Sequence, residues 1–237
     1  MSATLARRLP NNSVTFASRV ELFESLERQL VSTLIFLRHG HSAANAADLL
    51  TGQLPGIGLS KKGKSQAVSL VERIGNAKID YLHVSPIERC QLTIDPWLRS
   101  KYSASLRQMN IVDEITEIDF GLWSGRKISS LRRLPLWKQV QQKPSTVTFP
   151  EGESFKKAQK RAVSAVTQIA KIRGDQRHLI VSHSDVIKLI TAALLGMKLD
   201  KFQSIQIAPA TFTIFKEDRG QFSLVTTNSS SSLKDLI

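Results

Sequence analysis

The run Thr33-Leu34-Ile35-Phe36-Leu37 is apolar after its first residue and ends on Arg38-His39-Gly40. A short apolar run that stops at a glycine reads as a buried strand. Such a strand needs covering layers on its faces, and the residues just past its end are where ligands of an α/β sheet usually bind. Arg38 offers a planar fork of donors there, suited to phosphate or carboxylate. A histidine so placed can act as a nucleophile toward phosphorus. An Arg-His pair often arises by chance, so its meaning depends on the rest of the chain.

Downstream, strand and helix patterns alternate. Ser60 opens a helix with Ala67, Leu70, Val71 and Ile74 on one face, and Gly75 closes it. Residues 79–84 form a second strand. In Ser85-Pro86-Ile87-Glu88 a cap serine, a proline at the first helical position and a glutamate at the third start another helix. That helix buries Ile87, Cys90, Ile94 and either Trp97 or Leu98. A third strand is expected over 106–112, and an irregular stretch over 115–150 with a short helix near 131–141. A long helix over 153–173 turns Phe155, Ala158, Ala162, Val166 and Ile169 inward. A fourth strand covers 178–182, and a helix that Asp185 can cap covers 185–195. Further strands are expected over 203–208, 211–216 and 221–226. The alternation means an α/β sandwich, with no internal repeat.

Residues 1–31 read as an N-terminal extension in which Val20, Phe23, Leu26, Glu27 and Leu30 fit one amphipathic helix. Residues 32–227 are the folded domain. Asn228 and the serines after it predict a disordered tail over 228–237.

Composition narrows the function classes. At 41% hydrophobic and 22% charged residues, the 237-residue chain has an ordinary globular balance. No apolar stretch approaches the roughly 20 residues that span a bilayer. Residues 1–20 hold Arg7, Arg8 and Arg19 and no acid, a faintly transit-peptide-like pattern that fits a loose extension better. The only cysteine, Cys90, rules out an intrachain disulfide and fits a reducing cytoplasmic setting. A cysteine phosphatase needs an arginine shortly after its nucleophile, and residues 91–97 contain none, so Cys90 is expected in the core.

The net charge of +13 is uneven. Residues 122–177 hold 13 Lys and Arg against 3 Asp and Glu, whereas the rest of the chain holds 20 against 17. A basic surface of this kind draws anions. It carries no nucleic-acid motif, so the expected partner is a small anionic phosphorylated substrate, with no nucleic acid and no membrane. The chain is expected as a monomer or homodimer.

Five segments put a polar group where the chain changes direction: Arg38-His39, the loop holding Asn45 with Thr51-Gly52, Arg89, Glu117, and His183 after Leu179-Ile180-Val181-Ser182. Two arginines, two histidines and a carboxylate are the parts needed to move a phosphoryl group through a phosphohistidine. His39 and His41 have no third and fourth partner at useful spacing, so no metal site is expected.

The pattern resembles the histidine phosphatase superfamily, the branch of phosphoglycerate mutases and small phosphatases. The resemblance rests on Arg38-His39-Gly40-His41-Ser42-Ala43-Ala44-Asn45, Thr51-Gly52 with 59–67, Ser85-Pro86-Ile87-Glu88-Arg89, 117–125, Pro150-Glu151-Gly152-Glu153-Ser154 and Val181-Ser182-His183, in family order across 33–216. It implies a three-layer α/β/α sandwich with a mostly parallel central sheet, of phosphoglycerate mutase-like fold. It also implies His39 as nucleophile, and Arg38, Arg89 and His183 as holders of the phosphoryl oxygens. Asn45, Thr51, Gly52 and Ser184 contact substrate, and no cofactor is needed. Glu117 is the proton donor, chosen over the neighbouring Glu114 and Asp119 because it stands four residues before Gly121, as the family's acid does. His41 is a rim residue, and Ser184 stands where glycine is common.

His39 must be neutral to attack, whereas His183 is more useful protonated, so their pKa values are expected to be pushed apart. The stretch from Gly125 to Pro150 is short for a mutase insertion. The expected activity is therefore metal-independent phosphomonoester hydrolysis, with a mutase-type phosphotransferase as the alternative. A non-catalytic phosphate-binding scaffold is the alternative of another class. The basic segment, with Arg132, Arg133 and Lys138, is expected to favour substrates of higher negative charge.

Overall fold

In a computed structural model that describes residues 31–172 and 174–237, the apolar run becomes a central strand, β1 (Ser32–Arg38). Leu34, Ile35, Phe36 and Leu37 are wholly buried, so every side chain of the run meets a covering layer whichever way it points. After β1 come a short helix α1 (Ala43–Ala46), a two-residue strand β2 (Leu49–Leu50), helix α2 (Lys61–Ile74), strand β3 (Tyr81–Val84), helix α3 (Glu88–Leu98) and strand β4 (Gln108–Ile111). A two-residue strand β5 (Arg126–Lys127) leads into helices α4 (Ile128–Leu131) and α5 (Pro135–Gln142). Then come helix α6 (Phe155–Ala170), strand β6 (Arg177–Ser182), helix α7 (Ser184–Leu194), and strands β7 (Phe212–Asp218) and β8 (Gln221–Ser229).

The six longer strands form one sheet in the order β4-β3-β6-β1-β7-β8. The first four are mutually parallel, β7 pairs antiparallel with β1, and β8 pairs antiparallel with β7. Helices α2 and α3 bury Leu70, Ile74, Ile94 and Trp97 with Ile35 and Leu37 on one face. Helices α6 and α7 bury Ala158, Val166, Val186 and Ile190 with Leu34 and Phe36 on the other. This is the expected three-layer sandwich.

Several local expectations hold. Ser60 caps α2 by accepting from the Gly63 amide, and Gly75 ends it at a φ of 55°. The long helix begins at Phe155 rather than at Glu153, with Ser154 capping it by accepting from the Lys157 amide. Phe155, Ala158, Ala162, Val166 and Ile169 all face inward.

Four other expectations fail. Helix α3 begins at Glu88 with Ile87 at its cap position, not at Ser85, and Ile87 is only partly buried. Residues 203–208 form no strand: a 3-10 turn covers Leu199–Ser204, and the carbonyl of Ile207 is taken by side chains, accepting from Arg38 Nη1 at 2.5 Å. His183, not Asp185, occupies the cap position of α7. The serine-rich tail is ordered, with β8 running to Ser229 and Leu233 wholly buried beside α2 and α3. Its polar run masks the apolar Leu233, Leu236 and Ile237, which supply the burial that holds it. The amphipathic helix expected before residue 31 lies outside the described residues. Among the described residues no helix is long and apolar enough to cross a membrane.

Candidate active site

The two candidate histidines meet because of strand register. β1 and β6 pair in parallel with Arg38 opposite Ser182, so the next residue of each strand, His39 and His183, leaves the sheet at the same place. Their ring centroids lie 5.2 Å apart. The His39 amide donates to the Ser182 carbonyl at 3.0 Å, and the Ala210 amide holds the Arg38 carbonyl at 3.1 Å. The loop after β1 is pressed against α2: a Cβ on Gly63 would collide with the His41 carbonyl oxygen. The Gly40 amide donates to Thr93 Oγ1 at 2.8 Å, tying the same loop to α3.

His39 is buried, and its Nδ1 donates to the Gly40 carbonyl at 2.7 Å. That bond fixes the tautomer and leaves the lone pair on Nε2, where Arg89 Nε donates at 3.2 Å. Burial, then the Arg89 and Arg38 charges, lower its pKa well below the ordinary histidine value. A neutral imidazole that keeps its lone pair on Nε2 is the nucleophilic form.

Arg89 sits in the first turn of α3 and is buried. Its Nη2 donates to the Gly52 carbonyl at 2.9 Å and to His183 Nδ1 at 3.1 Å. Arg89 Nη1 and Arg38 Nε have no hydrogen-bond partner among the described residues. Two guanidinium groups with unmet donors beside a neutral imidazole are suited to phosphoryl oxygens.

His183 is wholly buried, and its Nε2 pairs with Ser85 Oγ at 2.8 Å. With Nδ1 accepting from Arg89, Nε2 carries the proton and Ser85 accepts it. The pKa of His183 is lowered as well, by burial and then by Arg89 and His39. The expected separation of the two histidines is therefore absent: the same burial and the same arginine act on both rings.

Glu117 approaches from the other side, its Oε2 3.8 Å from His183 Nδ1. Burial and then the Asp185 charge raise its carboxyl to about 7, against the opposing pull of Arg89. A carboxylic acid poised near neutrality can give a proton and take one back.

A cavity of about 230 Å³ joins these groups. Arg38, His39, Asn45, Thr51, Gly52, Arg89, Glu117 and Ser184 all line it. His183 lies behind Arg89, and Asn45 spends Oδ1 on the Ser42 amide in the α1 capping box. Gly52, expected as a substrate contact, also serves through its carbonyl as a support for Arg89. The pairing of β2 with β5 brings Leu49, Leu50 and Ile128 into the lining, and Phe120 completes an apolar wall.

Sequence reasoning missed Ser85, Thr93 and the pocket carboxylate Asp185. Ser85 was hidden by its likeness to a cap, and Asp185 by the same assignment. Arg132, Arg133 and Lys138 are exposed, and none of them lines the cavity, whose cations are Arg38 and Arg89. His41 lies outside the lining, with its Nδ1 beside Ser60 Oγ at 2.9 Å. Cys90 is wholly buried, and burial pushes its thiol up to about 12, so it is an inert core residue. Among the described residues no three His, Cys, Asp or Glu side chains converge in a way that could hold a metal ion.

The geometry has counterparts in known proteins. The model of the histidine phosphatase superfamily (branch 1) matches residues 34–230. Phosphoserine phosphatase 1 of Hydrogenobacter thermophilus is 29% identical over 183 residues, 76% of this chain and 84% of that protein. A 2,3-bisphosphoglycerate-dependent phosphoglycerate mutase of Bartonella henselae is 26% identical over 182 residues, 74% of this chain and 87% of the relative. Among solved structures, YhfR of Bacillus stearothermophilus superposes with a TM-score of 0.77 at 24% identity, covering 85% of this chain and 99% of that one, which is a likeness of fold.

Proposed function

The chain belongs to branch 1 of the histidine phosphatase superfamily, and from that premise we propose that it is a metal-independent phosphomonoesterase acting on small phosphorylated metabolites. The observation that carries the proposal is the meeting of a neutral, tautomer-fixed His39 with a Glu117 carboxyl at about 7 across one small cavity. In the first step His39 Nε2 bonds to phosphorus, the ester P–O bond breaks, and the Glu117 proton passes to the leaving oxygen. In the second, water attacks the phosphohistidine, Glu117 takes a proton from that water, and the N–P bond breaks to release phosphate. Arg38 and Arg89 face charge that spreads over the equatorial oxygens in both steps. His183 enters neutral, and a bound dianion favours its protonation.

The mutase relative points to phosphotransfer as a rival. Against it stands the lining, where both cations flank His39 and no other remains for a second phosphate. The phosphoserine phosphatase relative supports hydrolysis of small esters. A single buried cysteine supports a cytoplasmic location.

The test is phosphate release from a panel of phosphomonoesters in EDTA, wild type beside His39→Ala. The expected result is EDTA-resistant release in the wild type and none in the variant. Release that survives the substitution would contradict the proposal, and so would isomerisation of a phosphoglycerate outpacing release.

A further inference from the structure

Pro150-Glu151-Gly152-Glu153-Ser154 matches the family pattern, yet none of these five residues lines the cavity. They act one layer back. Gly121, at a φ of 51°, and Gly152 lie against each other's segments. A Cβ on Gly121 would collide with the Pro150 carbonyl oxygen, and one on Gly152 with that of Asp119. This close approach sets Glu153 beneath the segment that carries Glu117. The Glu153 amide donates to the Asp119 carbonyl at 2.9 Å, and Glu153 Oε1 accepts from the Asp119 amide at 3.0 Å.

Glu153 is buried and receives Arg161 of α6 side-on, with Nε to Oε2 at 3.1 Å and Nη2 to Oε1 at 2.6 Å. The same guanidinium spans three backbone carbonyls. Its Nη1 donates to Glu114 at 2.5 Å and Thr116 at 2.9 Å, and its Nη2 to Glu117 at 3.1 Å. All five N–H groups of Arg161 are thus engaged, on five acceptors. Gln53 Nε2 adds a second donor to the Glu117 carbonyl at 2.8 Å.

We propose that Arg161, oriented by Glu153, is the positioning residue for the general acid: it fixes the backbone from which the Glu117 side chain reaches the reacting oxygen. The proposal rests on the reading of Glu117 as the acid. Lysine keeps the charge but gathers its donors at one point and cannot span the three carbonyls.

The experiment compares kcat/KM, in EDTA, for glycerol 2-phosphate and p-nitrophenyl phosphate in the full chain. The first ester needs a proton on its departing alkoxide; p-nitrophenolate leaves without one. We expect Arg161→Lys to lose about 10²-fold on glycerol 2-phosphate, the scale of a misplaced catalytic group, with p-nitrophenyl phosphate little changed. Glu117→Gln should show the same selectivity more strongly. Equal losses on both esters in Arg161→Lys, or no loss, would overturn the proposal and make the clamp a stability element only. If Arg161→Lys fails to fold, the Glu153→Gln/Arg161→Gln pair, which leaves no buried charge unpaired, is judged by the same ratio. A Glu117→Gln variant that loses both esters equally would overturn the reading of Glu117, and the clamp's role with it.

Discussion

At the scale of single residues, the site works by placing ionisable groups where burial decides their charge. His39 and His183 are neutral because a wholly enclosed imidazolium beside two arginines is doubly disfavoured. Glu117 is raised by burial first and by Asp185 second, and Asp185 is itself held by Lys188 Nζ at 2.8 Å. The protonated acid is the form that serves an alkyl leaving group, so kcat/KM for an alkyl phosphate should fall as pH rises through about 7. Asp185→Asn removes a charge that favours the protonated form. The alkaline limb of that profile should therefore move to lower pH, while p-nitrophenyl phosphate shows no such movement. A limb that stays in place would mean that burial alone sets the acid.

At the scale of elements, parallel pairing does the assembling. One register, Arg38 opposite Ser182, delivers both histidines. The same sheet holds a second histidine pair away from the catalytic groups: His83 of β3 and His178 of β6, with Nε2 and Nδ1 3.2 Å apart and Tyr81 stacked on His178. Burial pushes both rings down to about 4. In the unfolded chain they titrate near 6.5, so the unfolded state binds protons first as pH falls. Their contribution is complete above about 6.5 and is lost progressively toward 4. His39 and His183 act with the same sign. The melting temperature should drop over that interval, and the drop should be shallower in His178→Gln. Parallel curves for the two proteins would show that this pair is not a source of acid sensitivity.

The regular elements were legible wherever one physical cue dominated: an unbroken apolar run for β1, a cap serine with a periodic face for α2, a periodic face for α6. The site was legible where it springs directly from a strand end or a helix start, as with His39, His183 and Arg89. It was illegible where one residue type serves two uses. Ser85 before a proline looks like a cap, yet it turns to His183, because an enclosed imidazole N–H left unmet costs about 1–3 kcal/mol. Residues 203–208 look like a strand, yet the Ile207 carbonyl is drawn to Arg38 and Ser184. Arg161 gave no signal, since three of its five acceptors are main-chain carbonyls, which every sequence has.

For the whole molecule, the candidate site lies at the C-terminal ends of β1 and β6, and two additions complete the fold. The β2–β5 ribbon lends Leu49 and Leu50 to the cavity wall, and the tail packs Leu233 against the α2–α3 side of the core. Most of the described cations of residues 122–177 are exposed and none lines the cavity, so they would act on approaching anions through their field rather than by contact. The mechanism depends above all on a covalent intermediate at one nitrogen. The most direct measurement is to quench the enzyme in alkaline denaturant during turnover and map the phosphoryl group by mass spectrometry of its peptides. The expected result is a phosphoryl group on His39 that forms and decays within turnover and is absent in His39→Ala. A group found on His183, Cys90 or any other residue, or turnover with no phosphoenzyme at all, would contradict the mechanism.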